Sequence, residues 1–175
     1  EQARIVKSPR ELAYMREAAR LTDLGAEAAL AACAEGASEN DVAAASYDAM
    51  VRAGSEWMAR DPIVTSGDRA GLPHSGFMRR RLGCGDTVLI EIGATFHRYY
   101  APLMRSAVIG AAAPEVARMA ETCLEALHAA IDAIRPGATS ADVDAAARGV
   151  VTRAGLWENY RKRTGYSVGI GFSSW

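Results

Sequence analysis

The chain has 175 residues, enough for one domain, and half of them are apolar, enough for a real core. Twenty basic residues against twenty-one acidic ones leave a net charge of −1, which argues against nucleic acid or an anionic membrane surface as an obligatory partner. Cys33, Cys84 and Cys123 are an odd, scattered set that fits small buried thiols in a reducing cytoplasm, and no run approaches the ~18 apolar residues of a membrane span.

In chain order, Ser8-Pro9-Arg10-Glu11 is a capping box with proline at the first helical position, and it opens a helix expected to run to about Gly36. Ser38 to Asp41 opens a second helix, ending at Gly54. A short strand is expected at Ile63–Thr65, followed by a loop that carries Pro-His74-Ser-Gly and the basic triplet Arg79-Arg80-Arg81, read as a solvated approach to a hairpin. Gly85-Asp86 then turns into a strand at Thr87–Ile92, and a return strand runs from His97 to Met104. Pro114 opens a third helix, stopped by Pro136-Gly137, and Thr139 to Asp142 opens a fourth, ending at Gly155. A last strand is expected from Tyr166 to Phe172.

The chain also repeats itself. Residues 36–54 lie over residues 137–155 at a constant offset of 101, with nine identities in nineteen positions and no gap. The shared Gly-Ala starts, Asp-Val pairs and Arg-Ala-Gly ends are not alanine coincidence. They imply two copies of a helix–turn–helix–strand unit, hence an α+β domain with pseudo-twofold symmetry. The first copy occupies about 8–108 and the second begins at about 114. By that offset the second copy continues past Trp175, so residues 1–175 are expected to be the N-terminal part of a larger domain whose second half is truncated.

Between Leu72 and Arg105 the spacing becomes specific. His74 precedes Asp86 by twelve residues, Glu91 follows by five, Pro102 by eleven more and Arg105 by three. A carboxylate closing a run as apolar as Val88-Leu89-Ile90 is costly to bury without a partner. This pattern resembles the pita-bread superfamily, which includes methionine aminopeptidase, aminopeptidase P, prolidase, creatinase and ectoine hydrolase, and the resemblance runs from about Arg4 to Trp175. It implies the duplicated pita-bread fold reached independently from the repeat.

The departures from that family bear on chemistry. The resemblance puts a metal-binding aspartate at the position of Glu91, another at Pro102, and a histidine ligand at Tyr166 in Gly165-Tyr166-Ser167-Val168-Gly169. Glu91 keeps a carboxylate; Pro102 has no donor atom. Bridging carboxylates must hold two cations roughly 3.5–4 Å apart, so this chain resembles a metal-free member with no cofactor. Creatinase itself fits poorly, with Tyr166 and Met104 where its histidine and glutamate stand. Ectoine hydrolase is the better match, in Arg98-Tyr99 and in the run from Arg163 to Gly169.

These readings give a site of His74 as general acid/base with Glu91 as base, nucleophile or anchor for a cationic substrate group, and Tyr99, Tyr166 and His97 as substrate-binding residues. Tyr99 and Tyr100 point to opposite faces of their strand, so one of them is core. Asp86 reads as a turn residue, and Arg105 as a cross-hairpin partner of Glu91. The function implied is metal-independent hydrolysis of C–N bonds in a small-molecule substrate by a cytoplasmic homodimer. The alternative is a prolidase- or aminopeptidase P-like homologue that serves as a binding module; retention of His74 and Glu91 favours the enzyme.

Overall fold

The structure, a computed structural model, describes residues 5–58, 60–72, 74–160 and 163–170. The chain divides into two compact units, 1–111 with 168–175, and 112–167.

In the first unit, helix α1 (Pro9–Ala32) begins on the expected capping box: Glu11 N–H donates to Ser8 Oγ and Ser8 N–H donates to the Glu11 carboxylate. It ends short of Gly36, because Gly36 turns left-handed at φ 83° and gives its N–H to the Leu82 carbonyl. Helix α2 (Glu39–Arg52) starts on a second box, Ser38 with Asp41. Strands β1 (Ile63–Ser66), β2 (Thr87–Phe96) and β3 (Tyr99–Val108) form an antiparallel sheet in that order. The central strand runs on to Phe96, beyond the expected Ile92, since Gly93 to Thr95 pair with Tyr100 to Pro102. Proline donates nothing to a ladder, and Pro102 is accommodated because β3 lies at the edge of this sheet.

Alternation along β2 separates two faces. Val88, Ile90, Ile92 and Ala94 are all but fully buried and join Val64 in a core with Leu21, Ala29, Val42 and Met50 from the helices. Burial of each such large aliphatic side chain is worth about 1.5–3 kcal/mol. The helices come close because α1 offers small residues. A Cβ at Gly25 would stand 2.5 Å from Met50 Cγ and 3.2 Å from Ile92 Cδ1. Thr22, fully buried, inserts its hydroxyl between β2 and β3, accepting from Ala94 N–H at 2.9 Å and donating to the Ala101 carbonyl at 2.8 Å.

Two elements differ from expectation. His97 and Arg98 do not start β3; they are a two-residue hairpin turn with φ of 47° and 68°, the left-handed pair that matches strand twist. Glu56 stabilises this strained turn by accepting both N–H groups, at 3.2 and 3.4 Å. Nor is there a strand among the described residues from 166 to 170. Ile170 makes a single bridge to Tyr99, and Tyr100 N–H donates to the Gly169 carbonyl at 3.2 Å; Phe172 lies outside the described residues.

In the second unit, α3 (Pro114–Ala133) and α4 (Ser140–Arg153) pack through Ala126, Ala130, Ala147, Val150 and Val151. The repeat is visible in local geometry. Thr139 and Asp142 build the same capping box as Ser38 and Asp41, and Gly137 and Gly155 turn left-handed like Gly36 and Gly54.

Candidate active site

Glu91 lies on the sheet face opposite the helical core. Its register partners are Ile63 on β1 and Met104 on β3, so these share its face, as do Gly93, Pro102, Thr95 and Tyr100. Glu91 is buried at 7% exposure, and its recorded partner is Arg60, whose Nη1 stands 3.8 Å from Oε1. Arg105, expected to pair with it, does not. That residue is opposite Ile90, hence on the other face, exposed, with Nη1 donating to the Met104 carbonyl. A one-residue difference in register decides the side of the sheet.

Tyr99 is likewise turned away. Opposite Phe96, it faces the helices, and its hydroxyl donates to Glu11 Oε1 at 2.8 Å. That carboxylate holds the phenol above its ordinary pKa, so Tyr99 ties the start of α1 to β3 as a neutral donor. Its neighbour Tyr100 is the tyrosine on Glu91's face. His97, in the turn, packs against Tyr14 and Phe96 with ring centroids 4.6 Å from each. Tyr166 belongs to the second unit; it is about half exposed, with the Arg163 guanidinium 5.7 Å from its ring centroid.

His74 sits at a turn between β1 and β2, exposed, with a left-handed φ of 59°. An L-residue held there marks a backbone fixed by its surroundings. The fixing elements are visible on both sides. Leu72 N–H donates to the Arg69 carbonyl at 2.9 Å, and Arg69 Nη2 donates to the Gly76 carbonyl at 2.7 Å. One arginine thus closes the loop. Its other amino group reaches Glu39 at 2.6 Å; Glu39, fully buried, also accepts from Ser66 Oγ at 2.8 Å and from Met78 N–H at 2.7 Å.

Of the basic triplet, Arg79 and Arg81 are exposed as expected of a solvated approach, but Arg80 is half-buried and bonded. Arg80 donates to both oxygens of Asp86, with Nη2–Oδ1 at 2.9 Å, and to Ser66 Oγ, while Arg81 caps the Gly36 carbonyl. Asp86 also accepts the Gly83 N–H, a turn contact of the expected kind. Arg80 foremost, then that N–H, holds the Asp86 carboxyl below its ordinary range. Gly67 makes room for this pair, since a Cβ there would lie 2.4 Å from Arg80 Nη2. Glu39 was legible only as part of a capping box. The signal that singles it out is the repeat, which puts Ser140 at the matching position.

Residues 13–174 match the model of metallopeptidase family M24. The chain belongs to that family. It is similar to an Xaa-Pro dipeptidase of Pyrococcus horikoshii, 32% identical over 98% of this chain and 49% of the relative, and to a probable dipeptidase, PepE, of Mycobacterium tuberculosis, 37% identical over 95% of this chain and 44% of the relative. The solved prolidase of Pyrococcus furiosus superposes with a TM-score of 0.95 at 31% identity, covering 99% of this chain and 52% of that one. The pita-bread fold is thereby shown, and the chain spans about half the length of these M24 relatives.

A metallopeptidase family implies a metal, so the donors of this chain matter. Glu91 and Pro102 lie on one face, Pro102 two residues along and one strand across, with Gly93 opposite it in register. A proline ring has no donor. Among the described residues no three histidines, cysteines, aspartates or glutamates are grouped to hold a metal ion. Among the described residues, the Glu91 face thus offers one carboxylate where a carboxylate-bridged metal pair needs more. Among the same residues no helix is long and apolar enough to cross a membrane.

Proposed function

We propose that this M24 chain supplies one part of a C–N bond hydrolase that works on a small amide without the two-metal centre. The single observation that carries the reading is the Glu91 face, where the one buried carboxylate is balanced by the Arg60 guanidinium and the place for a second is taken by Pro102. Catalysis then falls to side chains. His74 takes a proton from water as its oxygen bonds to the carbonyl carbon, and returns that proton to the nitrogen as the C–N bond breaks. Glu91 stabilises the imidazolium or a cationic group of the substrate. Tyr100 shares its face and suits substrate contact better than Tyr99; His97 and Tyr166 enter through their motifs alone.

Two substrate classes follow from two observations. The relatives are Xaa-Pro dipeptidases, which supports a dipeptide-sized amide. The Arg98-Tyr99 pair and the run from Arg163 to Gly169, which resemble ectoine hydrolase, support a compact cyclic amidine such as ectoine. Cys84 and Cys123 are exposed and Cys33 is half-buried, so they are not the buried thiols expected; a cytoplasmic homodimer is proposed by resemblance to metal-free relatives.

The experiment is a substrate panel on the full-length protein, Xaa-Pro dipeptides, ectoine and creatine, each with chelator and with added Mn²⁺, Co²⁺ or Zn²⁺. Turnover that survives chelation supports the proposal. Turnover of dipeptides that appears only with metal overturns it, and no turnover of any C–N substrate favours a binding module.

A further inference from the structure

We propose that Glu39 is a positioning residue that holds the His74 loop in its working geometry, a role resting on the reading that His74 acts in catalysis. Glu39 is the first residue of α2, yet the helix start does not require it. The matching start of α4 keeps its capping box with Ser140 in that place. What Glu39 does instead is specific to the first copy. Fully buried, its carboxylate gathers Arg69, Ser66 and the Met78 N–H, which come from the turn after β1, the end of β1 and the chain beyond His74.

Arg69 makes this a clamp. Its carbonyl accepts Leu72 N–H and its guanidinium donates to the Gly76 carbonyl, so both sides of His74 are tied to one residue, and that residue is oriented by Glu39. A fully buried carboxylate is tolerated only when paired and hydrogen-bonded, and here three donors meet it. Neighbouring order is supplied separately. Glu39 N–H donates to the Arg80 carbonyl, and Ser38 bridges Arg81, so the backbone of 80–82 stays attached to α2 without the carboxylate. Loss of the Glu39 side chain should therefore loosen 72–78 selectively.

The test uses the full-length protein with Glu39→Ser, the residue of the second copy, and Glu39→Gln, which keeps one acceptor and loses the charge. Amide hydrogen exchange should accelerate by about 10- to 100-fold at Leu72 and residues 74–78 in Glu39→Ser, less in Glu39→Gln, with β2 and α1 unchanged. kcat should fall on the order of 10²-fold in Glu39→Ser with KM changed less than about threefold, as for a displaced catalytic group. Uniform acceleration across the unit, or none at 72–78, overturns the proposal. If 72–78 loosens as expected while His74→Ala keeps full turnover, the clamp stands and the assignment of His74 fails.

Discussion

Arg60 and Glu91 form an ion pair, Nη1 to Oε1 at 3.8 Å, beside the start of β1, with the glutamate side chain 10% exposed and the arginine 29%. Burying a charged group is costly unless a partner of opposite charge compensates it. Arg60→Met should therefore destabilise the protein by about 2–3 kcal/mol, since removal of one partner leaves the other charge without its counterion. Adding Glu91→Gln should recover part of that loss. Chemical denaturation of both single variants and the double variant reads this directly. Strict additivity would show that the pair is not coupled.

Thr22 offers a test of the sheet itself. Its hydroxyl serves Ala94 N–H and the Ala101 carbonyl at once, where β2 and β3 would otherwise bond directly. Thr22→Val keeps the shape and removes the hydroxyl, leaving the buried Ala94 N–H and the half-buried Ala101 carbonyl without this partner, at about 1–3 kcal/mol. The measured loss in stability should exceed that of Thr139→Val, an exposed cap in the second unit. An equal or smaller loss at Thr22 would mean that the strands close over the gap.

Asp86 gives a pH signature. Its folded carboxyl lies below the ordinary value, chiefly through the Arg80 hydrogen bonds. A depressed folded pKa contributes stability that is present above the unfolded value, about 3.9, and is lost as pH falls through the folded value. The stability gap between wild type and Asp86→Asn should accordingly hold from about pH 5 to 8 and narrow below about pH 4. Denaturation curves at stepped pH measure it; a gap that persists unchanged at pH 3 contradicts the pairing.

How far the sequence was legible depends on what each residue answers to. Caps answer to local chemistry, so Ser8, Ser38 and Thr139 mark their helices within a residue. The repeat and the His74 to Arg105 spacing carry the fold, because both record the duplicated architecture. Side-chain pairing was less legible. Whether Arg105 or Arg60 meets Glu91 depends on register, and Tyr99 and Tyr100 differ only in which is opposite Phe96. Glu39 and Arg69 are thirty residues apart and meet only when α2 and the turn after β1 pack, a contact that no local pattern encodes.

Metal content is a separate check on the site. Purified without chelator, the full-length protein should hold well under one equivalent of Mn, Co or Zn per chain by elemental analysis. Two equivalents would mean that other donors complete a centre despite Pro102.

The central claim is that His74 carries the proton transfers of a metal-free C–N hydrolysis, and kcat of His74→Ala in the chelated full-length protein tests it most directly. On whichever substrate of the panel is turned over, kcat should fall by about 10²–10⁴-fold, the usual contribution of a positioned acid/base, with the fold intact and no recovery on adding metal. Wild-type turnover by His74→Ala, or activity restored by Mn²⁺, would contradict the account.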